Sequence, residues 1–182
     1  MMQRLFLAVV LVSAFGVVDA QQSLNLAMIK RDTQVFERIV SEVLTQNFAS
    51  PFAITAEPKG AYLQGYGISI SFQLNINRAR LRTPYGYIKA PSSMGQMSKE
   101  QQIKLVRETM VQCLADYGRS VKQLGPHDRI TIQAYIEDRN ELDPAKSSTI
   151  LVLSVLKDDI NLLATSKISP EAFKERVSVL MY

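Results

Sequence analysis

The sequence is 182 residues long, 47% hydrophobic and 21% charged, with a formal net charge of +4 and one cysteine. That balance belongs to a folded domain rather than to a disordered or disulfide-stapled chain. A single thiol excludes an intramolecular disulfide, and +4 is a small excess for a nucleic-acid binder.

Residues 1–20 read as an export signal. Arg4 gives a short basic start, Leu5 to Val12 is almost wholly aliphatic, and Val18-Asp19-Ala20 places small residues three and one before a cut ahead of Gln21. The apolar run falls short of the roughly 20 residues that cross a bilayer. With Gln21 rather than Cys after the cut, no lipid attachment is expected, and no transmembrane anchor remains after cleavage. The chain from 21 to 182 then has the size of one domain. No Asn-x-Ser/Thr acceptor occurs, which favours a bacterial envelope, periplasmic or secreted, over a eukaryotic secretory route. Export also removes most nucleic acid from reach.

From Leu24 to Phe48 the apolar residues recur at helical spacing, with Phe36, Val40 and Leu44 on one side; the N-cap is Asp32, or the helix begins earlier near Ser23. Phe52, Ile54 and Ala56 alternate as a short strand, and Glu57-Pro58-Lys59-Gly60 reads as the turn into the next. That next strand is the clearest in the chain: Ile68, Ile70, Phe72, Leu74 and Ile76 form one apolar row and must be covered. Gly65 and Gly67 before it suggest a bulge or a close approach by another backbone.

Residues 78–97 lack sustained periodicity and contain Pro84, Gly86, Pro91 and Gly95, so a long basic loop is expected. Ser98 and Gln101 fit a capping box at the head of a helix reaching Leu124, where Gly125-Pro126 ends it. Ile130, Ile132, Ala134 and Ile136 alternate as a third strand, and Ile150 to Leu156 is apolar on both faces, as in an interior strand. Asp158 heads a short helix through Leu163, and Ser169-Pro170-Glu171 opens a last helix through Val177. The order α-ββ-α-ββ-αα implies a two-layer α+β sandwich of about four mainly antiparallel strands with helices on one face.

Chemistry is sparse. His127 stands alone in a turn, Cys113 lies on the apolar stripe of a helix, and Met94 with Met97 is too small a set to argue for copper. No nucleophile elbow, phosphate loop or zinc-protease motif occurs, which leans against an enzyme and implies no cofactor and no metal. A hydrolase built from the 78–97 loop with the carboxylates near Glu137 and Asp158 is the catalytic alternative.

Charge placement is more informative. Arg78, Arg80, Arg82 and Lys89 stand with Tyr85 and Tyr87 in a stretch without an acid. This is the candidate binding surface, suited to an anionic envelope component or an acidic protein. A solvated loop whose charges block edge-to-edge strand pairing accounts for the same residues. Gly67, Ser69 and Ser71 form a second, small-residue face for packing on another copy or for contact with water, so a homo-oligomer or a self-assembling structural subunit is a third reading.

Tyr62-Leu63-Gln64-Gly65-Tyr66-Gly67-Ile68, together with Lys167-Ile168-Ser169-Pro170-Glu171-Ala172-Phe173, resembles a group of uncharacterised exported proteins of environmental bacteria. The resemblance implies an envelope protein and carries no activity, cofactor or functional residue. The sequence therefore points to an exported, non-catalytic binding or interaction module.

Overall fold

The computed structural model describes residues 25–48, 53–76, 80–83, 86–89, 97–138 and 148–182; residues 1–20, expected from the sequence to be an export signal, lie outside them. Helix α1 (Leu26–Asn47) leads into strands β1 (Ala53–Leu63) and β2 (Gly67–Asn75). A short ribbon follows, β3 (Arg80–Thr83) and β4 (Gly86–Lys89), then α2 (Lys99–Tyr117), β5 (Arg129–Glu137) and β6 (Ser148–Leu156). Helices α3 (Lys157–Ala164) and α4 (Pro170–Arg176) precede strand β7 (Ser178–Met181).

The main sheet runs β1-β2-β5-β6-β7, antiparallel throughout except where β2 meets β5. Parallel neighbours need a long crossover, and the segment containing α2 supplies it. Register stacks the apolar side chains into rows across the three inner strands: Ile68, Ile130 and Val155; Ile70, Ile132 and Leu153; Phe72, Ala134 and Leu151. All nine are buried. Phe36, Val40 and Leu44 of α1 and Val106, Met110 and Leu114 of α2 belong to the same core. Each large side chain so covered contributes roughly 1.5–3 kcal/mol, and this is what holds the two layers together. The α+β sandwich expected from the sequence is thus the fold of this chain.

Several boundaries differ from expectation. Strand β1 passes straight through Glu57-Pro58-Lys59-Gly60, with its register shifting between Ile54 and Ala56 and again before Lys59. Proline and irregular register are tolerated there because β1 is an edge strand. The hairpin turn comes later, at Gln64–Tyr66, where the Tyr66 amide donates to the Leu63 carbonyl at 3.0 Å. Helix α1 is capped by Asn25, whose Oδ1 accepts from the Met28 amide at 3.1 Å. Asp32 therefore lies inside the helix. Helix α3 starts at Lys157 behind Leu156, which makes no side-chain cap, so Asp158 sits in the first turn, where the helix dipole favours an acid.

Helix α2 has the expected capping box but stops at Tyr117, because a 3-10 turn at Gly118–Ser120 takes over. Two buried charges clamp that turn. Lys157 Nζ donates to the Gly118 carbonyl at 2.9 Å, and Asp32 Oδ2 accepts the Lys122 amide at 2.9 Å. Val121 and Leu124 still reach the core, from the link to β5 rather than from a helix. Strand β7 escapes a periodicity search because it is only four residues long and exposed on both faces.

Candidate functional site

The stretch expected to be a loop holds a two-stranded ribbon. Arg80-Leu81-Arg82-Thr83 and Gly86-Tyr87-Ile88-Lys89 stand on either side of a two-residue connection, a short hairpin pattern. Only Arg80-Leu81-Arg82 alternates polar with apolar, and each arm is too brief to stand out beside β2. Register pairs Arg80 with Lys89, Leu81 with Ile88, Arg82 with Tyr87 and Thr83 with Gly86. Directly opposed residues of an antiparallel pair share a face. Arg80, Arg82, Tyr87 and Lys89 therefore occupy one face of the ribbon, and Leu81 and Ile88 the other. Arg78 and Tyr85 lie outside the described residues, as does Met94.

The proposed carboxylate site does not assemble. Glu137 ends β5 opposite Ser148, whereas Asp158 follows Leu156, which stands opposite Arg129 at the other end of the same ladder. Eight residues of strand separate those two ends, about 26 Å. Carboxylates that flank one glycosidic bond stand within about 10 Å of each other. Glu137 Oε1 accepts from Gln73 Nε2, whereas Asp158 sits in the first turn of α3 with its amide donating to the Pro126 carbonyl at 3.0 Å. His127 is exposed in its turn. Cys113 is buried, and that burial pushes its thiol up to about 12, with Asp116 adding to the effect. Among the described residues, no group of three His, Cys, Asp or Glu side chains stands close enough to hold a metal ion.

The sheet face opposite the helices carries a polar network that alternation alone did not reveal. Tyr66 Oη lies 2.6 Å from Thr131 Oγ1, which donates to Ser154 Oγ at 3.0 Å; Arg129 Nη1 donates to that same oxygen at 3.4 Å. Gln133 Nε2 donates to Ser69 Oγ at 2.9 Å. These hydroxyls bond to one another, with no carboxylate or imidazole among them to take a proton, so the network lacks an activated nucleophile. Ser69 and Ser71, proposed as a packing face, are half-buried on this surface.

Among the described residues, no helix is long and apolar enough to cross a membrane. Comparison with family models, with curated proteins and with solved structures finds no match to this chain.

Proposed function

We propose that this chain is an exported, non-catalytic binding module that engages an anionic component of the bacterial envelope through the β3–β4 ribbon. The observation that carries the reading is the ladder register, which sets Arg80 against Lys89 and Arg82 against Tyr87 on one face. No acid occurs between Arg78 and Lys89, so nothing within the segment neutralises that face. A tyrosine beside the cations suits a headgroup region, where an amphipathic ring has one wet and one apolar end. The sheet network and the separated carboxylates supply no competing catalytic constellation.

The test is binding to vesicles containing anionic lipid, with neutral vesicles as the control. Each cation near an anionic surface contributes about 1 kcal/mol, so replacing Arg78, Arg80 and Arg82 together by alanine should weaken binding by about 3 kcal/mol, on the order of 100-fold. Raising the salt should erode the parent's binding in the same direction. Equal binding by parent and variant at low and at moderate salt would sink the proposal.

A further inference from the structure

The two edges of the sheet are built differently. An exposed strand edge presents unpaired amides and carbonyls, and folded proteins blunt it with bulges, proline, charge or cover. Edge β1 uses all four: two register shifts, Pro58, the charges of Glu57 and Lys59, and Glu37 of α1, whose Oε1 takes the Gly60 amide at 2.6 Å. Edge β7 is short, at four residues, but among the described residues it carries none of these four. Val179, Leu180, Met181 and Tyr182 are exposed to 44%, 57%, 58% and 67%, four large apolar or aromatic residues in succession.

From this contrast we infer that β7 pairs with β7 of a second copy, joining two sheets into one across a two-fold axis at Leu180. The hydrogen-bond phase of the edge selects that register. Ile150 and Tyr182 exchange both backbone bonds, at 2.7 and 3.1 Å, so in an antiparallel ladder Val152 with Leu180 and Ser154 with Ser178 are the other bonded pairs. The amides and carbonyls of Val179 and Met181 then point away from β6. In an antiparallel partner centred on Leu180, Val179 meets Met181 of the copy and Met181 meets its Val179, which satisfies all these outward groups at once. Centring on Val179 would call on the Val177 amide, which already bonds to the Phe173 carbonyl at 3.2 Å.

The flank is self-complementary as well. A hollow of about 320 Å³ between α2 and the edge is lined by Ile103, Leu151, Val179 and Met181, with Glu100, Arg107 and Lys104 also on its wall, the last pairing with Glu108 of its own helix at 3.8 Å. Arg107 also lines the neighbouring hollow, which reaches Val179 without Met181, so α2 runs from the Met181 end of the edge towards the Val179 end. The two-fold therefore brings Glu100 of one copy towards Arg107 of the other. An isologous dimer needs this inversion, in which a patch is its own complement.

The test is sedimentation equilibrium of the whole protein over a dilution series, with Leu180→Lys and Leu180→Glu alongside. At the two-fold, Leu180 faces its own copy, so either substitution sets like charges directly opposite each other. We expect the parent's mass to double as concentration rises. Each variant alone should stay monomeric with the parent's circular dichroism and the melting midpoint of the parent at its lowest, monomeric concentration, and an equimolar mixture of the two should regain the doubled mass. Val179→Pro, which removes an outward amide and leaves the β6–β7 bonds intact, should also be monomeric. A parent that remains monomeric, a Leu180→Lys protein that doubles like the parent, or a mixture that fails to recover would overturn the inference.

Discussion

Gly67 opens β2 beside Arg129, its partner in the parallel ladder, and adopts φ +126°, a backbone conformation that side chains rarely tolerate. A β-carbon there would overlap the Arg129 carbonyl oxygen and stand 2.6 Å from the Arg129 nitrogen. That nitrogen donates to the Tyr66 carbonyl at 2.7 Å, so separating the strands to make room breaks a bond at the mouth of the ladder. Gly65, two residues earlier, also has positive φ, at +76°, but a β-carbon there meets nothing within 4 Å. The pair separates backbone strain from crowding. Alanine at 65 incurs strain of about 1–2 kcal/mol. At 67 the strain, about 1–3 kcal/mol, is joined by about 1 kcal/mol for the lost hydrogen bond. With about 2–4 °C of melting shift per kcal/mol for a chain of this size, Gly67→Ala should melt roughly 5–15 °C below the parent and Gly65→Ala about 2–8 °C below. Thermal melts followed by circular dichroism, backed by urea titration, measure both. If Gly67→Ala melts no lower than Gly65→Ala, the close approach of β5 is not what requires the glycine.

Lys157 and Cys113 give two further expectations. Burial, with the Arg119 charge adding to it, pushes the Lys157 amine down to about 8 from its usual 10.5, against the pull of Asp32. Between those values the unfolded chain holds the proton and the folded chain does not, so this amine makes stability rise with pH across the window. At about 1.36 kcal/mol per unit the rise between about pH 8 and about pH 10 is about 2–3 kcal/mol, and Lys157→Met should remove it. Urea midpoints from neutral pH to about pH 10 that rise in parallel for parent and variant would contradict this. Cys113 is 1% exposed, and its thiol stays protonated until about pH 12. It should resist a disulfide reagent in the folded protein and react at the rate of unfolding, as followed by release of the coloured thiolate. Immediate stoichiometric labelling without denaturant would show that the thiol is not sealed in the core.

The elements whose signals are local were legible. Ile68 to Ile76 states its buried face by alternation, Ser98 with Gln101 states the start of α2, and Ser169-Pro170 that of α4. In each case the cause and the structure lie within one or two turns or one strand. The ribbon was half legible: two four-residue arms around a proline are easily mistaken for a loop, and pairing Arg82 with Tyr87 requires knowing which residues make the turn.

What one dimension could not hold is decided by partners distant in the chain. Alternation in β2 and β5 says which residues face inward but not that the two strands lie side by side and parallel, a choice settled by the route of the chain through α2. The spacing of Val121 and Leu124 continues the helix, yet the helix stops where Lys157 and Asp32 hold the turn. The carboxylates at Glu137 and Asp158 look like neighbours only until antiparallel pairing sends them to opposite ends of one ladder. Sequence alone thus determined the periodic faces, because side-chain direction follows from backbone geometry residue by residue. Tertiary structure decided adjacency, edge and reach, because those depend on which distant surfaces burial and hydrogen bonding bring together.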